Sequence, residues 1–306
     1  MTERTAILFD GDPGVDDAFA LALAARHLDI VGLTTVFGNA SVAHTTRNAL
    51  AVAGHLNLTC PVVSGADTPI EAPNAQMLEH ARTIHGEDGM GGADLQTDRL
   101  PDGDDAPAFI VDTLRAAGAT LVATGPLTNV ARALQLDPTL ADGLDISLMG
   151  GSATNGNVTA VAEFNIHADP EAAAYVFASG ANLTVAPLDI TSTFGLGEAE
   201  IARLEAGNTL AREFGAAARF YRGRQLERFG RGYAPIHDVC AIVPLIRPAL
   251  ITFETMHVAV ECAGTHTRGM TVCDRRSPVV AEPSNATLGM QADGTAIVEL
   301  LMEALL

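Results

Sequence analysis

From residue 5 to residue 190, short apolar runs alternate with stretches of helical period, and nothing else restricts the fold of this chain so strongly. Thr5 to Phe9 is apolar and ends in Asp10; Asp16 to His27 then carries Ala20, Leu21, Leu23 and Ala24 at helical spacing. "DIVGLTTVFGN" (29–39) reads as a second buried strand, "SVAHTTRNALAVAGHL" (41–56) as a helix with Ser41 as N-cap, and "CPVVSG" (60–65) as a third strand. The pattern continues with helices over 106–118, 127–138 and 168–180 and strands over 119–126, 144–151 and 182–190. Strand–helix alternation of this kind builds a mostly parallel sheet with helices on both faces, an α/β fold. The segments 253–262 and 268–276 alternate with period two and predict a small antiparallel C-terminal portion.

No linker or internal repeat divides the 306 residues, so a single domain over 1–306 is expected. Two stretches, 71–105 and 222–234, are rich in Gly, Asp, Arg and Pro and read as mobile loops flanking a site. Trp is absent and aromatics are 5% of the chain, which leaves Ala, Val, Leu and Ile to fill the core.

Charge and side-chain inventory narrow the chemistry. A net charge of −19 gives no bulk attraction to nucleic acid or to an anionic membrane. No apolar run reaches the ~20 residues a membrane span needs, and "MTERTAILFDG" has no signal-peptide core, so a cytoplasmic location is expected. All 18 basic residues are Arg. Schiff-base chemistry, a P-loop lysine and a lysine general base are therefore excluded. Cys60, Cys240, Cys262 and Cys273 form no CxxC pair, which argues against a thiolate zinc site or a redox pair.

Parallel α/β sheets bind ligands beyond the carboxyl ends of their strands. In "LFDGDPGVDDAFAL" (8–21) the first such end carries Asp10, Asp12, Asp16 and Asp17. Asn39 follows the second strand, Thr124 a later one, and "SATNGNVTAVAEFNIHADP" the strand after that. Capping of the next helix would explain one or two of these aspartates but not four. Like charges at ~4 Å repel by several kcal/mol at intermediate dielectric. With no Lys in the chain, an Arg or a metal must offset them, and an all-oxygen donor set suits a hard cation such as Ca²⁺ or Mg²⁺. The His237–Asp238 pair in "PIHDVC" could add a ligand and a proton donor.

These motifs resemble those of the nucleoside hydrolases, the inosine-uridine-preferring N-ribohydrolases. "FDGDPGVDDAFAL" is similar to their D-x-D-P-G-x-D-D signature, and "TTVFGN", "HGEDGMGG", "TGPLTNVA", "MGG", "NVTAVAEFNIHADPEAA" and "IHDVCAI" resemble further blocks in the same order, over nearly the whole chain. The fold so implied is an open, mostly parallel, Rossmann-like sheet. The resemblance implies Ca²⁺ as cofactor, held by Asp12, Asp17, the Thr124 carbonyl and Asp238. It implies Asp12 as the base for the attacking water and His237 as acid toward the leaving group. Asp16, Asn39, Asn157, Glu163, Asn165 and Asp238 would hold the ribose, with Met149 and Phe164 lining its pocket and His85 approaching the base. Asp10 would support the loop. The implied substrate is a purine or pyrimidine ribonucleoside, cleaved to base and ribose in nucleoside salvage, and the implied assembly is a homodimer or homotetramer. Tyr221, Gln225, Phe229 and Tyr233 are expected to border the base.

Three other readings share these residues. The substrate could be another ribosyl compound, such as nicotinamide riboside. "ILFDGD" also resembles the strand end of haloacid-dehalogenase-like phosphatases, with Asp10 as nucleophile, although their usual phosphate-site lysine is missing. A Ca²⁺-dependent ribose-binding protein without catalysis is the third.

Overall fold

The computed structural model describes residues 4–71, 81–276 and 282–306. β1 (Ala6–Gly11) leads into α1 (Val15–His27), β2 (Asp29–Thr35), α2 (Val42–His55) and β3 (Val62–Ser64). α3 (Ala106–Ala117), β4 (Thr120–Ala123), α4 (Thr128–Leu136), β5 (Asp145–Met149), α5 (Phe164–Ala168), α6 (Pro170–Phe177) and β6 (Asn182–Ala186) continue the alternation. Then come α7 (Leu188–Thr191), β7 (Gly195–Leu196), α8 (Glu198–Glu205), α9 (Thr209–Phe229), β8 (Ala234–Pro235) and α10 (Val239–Ile246). β9 (Ile251–Val260), β10 (Thr271–Asp274), β11 (Ala286–Ala292) and α11 (Gly294–Leu305) close the chain.

Among the described residues the main sheet runs β10-β9-β11-β6-β5-β4-β1-β2-β3. β11, β6, β5, β4, β1, β2 and β3 are parallel, and β9 runs against both β11 and β10. The sheet is thus α/β and mostly parallel, with the expected antiparallel portion at the C-terminal edge.

Side-chain alternation on β1 shows why both faces are covered. Ile7 and Phe9 enter one core cluster with residues of α1, α2, α9, α10 and α11. Leu8 enters the other, with residues of α3, α4 and α6. Each apolar strand residue finds a helix on its own side. α1 is enclosed: every residue from Val15 to Ala24 is buried, Asp16 and Asp17 included. A helix apolar nearly all round belongs inside the protein, so its two first-turn carboxylates go inside with it.

Several sequence-based boundaries move. The second strand stops at Thr35 rather than 39, and the strand expected over 182–190 stops at Ala186, because Pro187 has no N–H for the ladder and the next residues form α7. The expected loop over 222–234 is corrected more deeply. Residues 209–229 are one 21-residue helix, ended by Gly230 in the left-handed conformation at φ 67°. Its buried positions Phe214, Ala217, Ala218, Tyr221 and Gln225 keep helical spacing, while Arg212, Arg224, Glu227 and Arg228 lie toward solvent. Of the expected loop over 71–105, residues 72–80 lie outside the described residues, 81–85 are helical and 86–105 are irregular.

Candidate active site

The strand order sets where a site forms. From β1 the chain builds outward to β2 and β3; from β4 it builds the other way to β5 and β6. The connections diverge at β1 and β4, leaving a crevice beyond their carboxyl ends. Asp12 follows β1, Thr124 follows β4, Met149 ends β5 and Asn39 follows β2, so neighbouring strands deliver all four to that crevice.

Asp12 is 1% exposed and held from several sides. The Asn39 N–H donates to its Oδ2 at 2.6 Å, and Asn39 Nδ2 donates to its carbonyl at 3.2 Å. Glycines leave room for it. A Cβ on Gly125 would stand 2.7 Å from Asp12 Oδ1, and one on Gly38 would strike Asp12 Oδ2. Asp17 is fully buried; its Oδ2 accepts from the Gly14 N–H and from Asn39 Nδ2 (both 3.0 Å), and its Oδ1 accepts from Thr124 Oγ1 at 2.7 Å. The Thr124 carbonyl accepts from Asn165 Nδ2 at 2.7 Å.

The donor oxygens of Asp16, Asp17 and Asp238 lie within 4.8 Å of one another, and all three residues are buried. Burial, with repulsion from Asp17 and Asp16, pushes Asp12 far above the usual carboxylate range. Asp16 rises to about 8, first from burial and then from Asp17; Asp17 rises through burial; Asp238 rises through burial and through Asp16, Asp17 and Asp12. Among the described residues, the one basic side chain within 4.0 Å of these four carboxylates is His85, whose Nδ1 stands 4.0 Å from Asp16 Oδ1. Asp12 Oδ1 and Asp16 Oδ1 are buried and accept no hydrogen bond there. Unsatisfied, crowded carboxylate oxygens next to a carbonyl are the donor set of a hard divalent cation, so these residues fit one.

Above this floor opens a cavity of about 630 Å³, mouth included. Of the residues singled out in the sequence, Asp16, Asn39, His85, Thr124, Met149, Asn157, Glu163, Phe164, Asn165, His237 and Asp238 line it. Asp12 and Asp17 do not reach its wall and belong to the floor. Glu163, the N-cap of α5, accepts N–H groups from Asn165 (2.9 Å), Ile166 (3.1 Å) and Gly151 (2.9 Å), and burial raises it to about 7. Asn157 Oδ1 is buried without a partner among the described residues.

The opposite wall is made by α9 and the turn after it. Tyr221, Gln225 and Phe229 line the cavity with Arg231, and the Tyr221 ring lies 5.0 Å from His85 at 30°. Burial, then Asp16 and Asp238, push the Tyr221 hydroxyl well above its ordinary value of 10.0. Burial, with Arg231 and His85 beside it, pushes His237 down to about 3, which favours a neutral imidazole over the leaving-group acid that the resemblance implies. Tyr233 is a correction, since its hydroxyl turns away to donate to the Ser192 carbonyl at 2.7 Å.

Asp10 also lies apart from the cavity. Its Oδ1 accepts from Thr34 Oγ1 (2.7 Å) and Asn129 Nδ2 (2.8 Å), which ties β1 to β2 and α4. With Oδ1 engaged in these two bonds and no part in the cavity lining, Asp10 gives the phosphatase reading no support. Sequence reasoning missed Ala81 and Ile84 in the lining, whose three-residue spacing was hidden in an apparent loop. It also missed Arg231 and Thr191, which no local pattern marks.

The chain matches the family model described as inosine-uridine preferring nucleoside hydrolase over residues 7–299. It is 41% identical over 300 residues to the "Non-specific ribonucleoside hydrolase RihC" of Salmonella paratyphi A, covering 96% of each chain. The fold is similar to that of the purine-preferring ribonucleoside hydrolase from Gardnerella vaginalis, with TM-score 0.92, 28% identity and 98% of each chain covered. A plant nucleoside hydrolase superposes with TM-score 0.89 at 30% identity, covering 99% of each. With its aspartate floor and its match over nearly the full length, the chain belongs to the inosine-uridine preferring nucleoside hydrolase family.

Proposed function

We propose that this protein is a Ca²⁺-dependent N-ribohydrolase that cleaves purine and pyrimidine ribonucleosides to free base and ribose, as a step of nucleoside salvage. The observation that carries the reading is the convergence of Asp16, Asp17 and Asp238 within 4.8 Å at the base of a cavity that the candidate ribose contacts line. Broad base preference is supported by the Salmonella relative, a non-specific ribonucleoside hydrolase, and by a base-side wall that sets the rings of Tyr221 and Phe229 beside Gln225 and Arg231.

Asp12, Asp17, Asp238 and the Thr124 carbonyl would hold the cation, which when bound offsets their charge, lowers the pKa of a coordinated water and anchors a vicinal diol. The buried Asp12 Oδ1 takes the proton of the attacking water as its oxygen bonds to C1′ and the C1′–N bond breaks. Asp16, Asn39, Asn157, Glu163 and Asn165 orient the ribose. The anionic surroundings favour the oxocarbenium-like charge that develops on the sugar. Met149 and Phe164 exclude water from the sugar's apolar face. With its pKa near 3, His237 works as a neutral imidazole that hydrogen-bonds the nitrogen leaving with the bonding pair, beside His85 and Tyr221, and the base takes its proton from solvent. A homodimer or homotetramer and a cytoplasmic location complete the reading; among the described residues no helix is long and apolar enough to cross a membrane.

The test is ribose release from inosine, adenosine, guanosine, uridine and cytidine, with and without chelator, together with metal analysis of the purified protein. Release from purine and pyrimidine nucleosides, lost on chelation and restored by Ca²⁺, is the expected result. No ribose from any of the five overturns the proposal.

A further inference from the structure

Asp189 stands outside the cavity, yet three donors converge on its carboxylate. The Ala153 N–H (2.7 Å) and Ser152 Oγ (3.1 Å) donate to Oδ2, and Thr154 Oγ1 donates to Oδ1 at 2.7 Å. All three belong to the segment that leaves β5 and runs to Asn157. Thr271 grips the same place: its Oγ1 accepts from the Ser152 N–H at 2.8 Å and donates to the Ser152 carbonyl at 2.6 Å. Further on, the N–H groups of Asn157 and Val158 donate to the Ala162 carbonyl, at 3.1 and 3.2 Å.

The sequence between these anchors is Thr154-Asn155-Gly156-Asn157-Val158, in which only Val158 reaches an apolar cluster. A polar segment of this kind loses much conformational entropy when ordered and has little burial to offset it. Its path is therefore set by the polar clamp, and that path carries Asn157 to the cavity wall with Oδ1 buried and unpartnered. Asp189 belongs to α7, and two residues later Thr191 Oγ1 lies 2.8 Å from His237 Nδ1. One helical turn thus holds the segment bearing Asn157 and, on its other side, His237.

We propose that Asp189 is a positioning residue of the reaction: through Ser152, Ala153 and Thr154 it sets where Asn157 meets the sugar. This rests on the ribohydrolase reading, in which Asn157 is a ribose contact.

The experiment is a double-mutant cycle on the full-length, cation-loaded protein with Asp189→Ala, Asn157→Ala and the double variant, plus Asp189→Asn as the conservative replacement. KM, kcat and thermal midpoint are measured for inosine, and ribose affinity by calorimetry. Asp189→Ala should raise KM about tenfold, the loss expected when a hydrogen-bonded contact is displaced, with a smaller change in kcat. The double variant should match Asn157→Ala within about twofold, because the two act through one contact. Asp189→Asn should restore most of the KM, since its amide oxygen still accepts the Ala153 N–H. Effects that multiply, or a KM unmoved in Asp189→Ala, overturn the proposal. A wild-type protein that releases no ribose but binds it, with the same non-additive cycle in ribose affinity, overturns the hydrolase reading alone. A wild type that neither turns over nor binds ribose overturns both.

Discussion

Thr191 Oγ1 and His237 Nδ1 stand 2.8 Å apart, both buried, so a hydroxyl on α7 fixes the plane of the imidazole that lines the cavity. When Nδ1 accepts the hydroxyl proton, Nε2 keeps its own hydrogen for a partner in the cavity. Thr191→Val keeps the shape and removes the hydrogen bond. The expected result is a fall in kcat/KM of about tenfold with the fold retained, checked by steady-state kinetics on inosine and uridine beside a melting curve.

Replacing Asp12 separates stability from catalysis. On the proposed mechanism Asp12→Asn removes the proton acceptor, and turnover should drop by roughly 10²–10⁴-fold. The same change removes one of several mutually repelling buried carboxylates, so without metal the variant should melt higher than the wild type. Calorimetry in chelator reads the second effect; equal turnover in the two proteins would remove Asp12 from its role as base.

Cation binding should be visible without substrate. A ligand that binds only the folded state stabilises it by about 2.7 kcal/mol at a hundredfold excess over its dissociation constant. Ca²⁺ added to the chelated protein should therefore raise its melting temperature, and the gain should vanish in Asp17→Asn, which loses a carboxylate among the three within 4.8 Å. A Ca²⁺ titration followed by scanning calorimetry checks both.

Glu163 gives the pH dependence. Its carboxylate accepts three backbone N–H groups, yet burial holds its pKa at about 7 rather than the ordinary 4.5. Because the ionised form is the better acceptor, kcat/KM should climb as pH rises through 7, and Glu163→Gln should flatten that limb. The stability effect has the opposite sign. The folded state binds the extra proton between pH 4.5 and about 7, so stability falls as pH rises through that window and levels off above it. Melting temperatures of wild type and Glu163→Gln across the window test the sign.

The floor of the site was legible in the sequence because it is local. Asp12, Asp16 and Asp17 lie on one strand–turn–helix unit, and the apolar run before them and the helical period after them fix where they go. The alternation of later segments likewise placed Thr124 and Met149 at strand ends. The rim was not legible. Residues 222–229 read as a loop because Arg224, Glu227 and Arg228 lie toward solvent on α9, while Tyr221 and Gln225 on its buried face make sense only against α1 and His85. β11 escaped notice because it takes its place by pairing between β6 and β9, strands distant from each other in the chain. Asp189 lay inside what read as a strand and Thr191 just beyond it, and their partners are 35 and 46 residues away or more.

Gly38 and Gly125 press so closely on Asp12 that even one methyl group on either would collide with its carboxylate. A side chain at either position would therefore shift the carboxylate that the proposed mechanism uses as base. Tyr221, Gln225, Phe229 and Arg231 stand instead on a helix and turn that share no strand with Asp12. On the proposed reading, the rigid part of this catalyst and its adjustable part sit on separate pieces of backbone, so a redesign of base selectivity can begin at the second without touching the first.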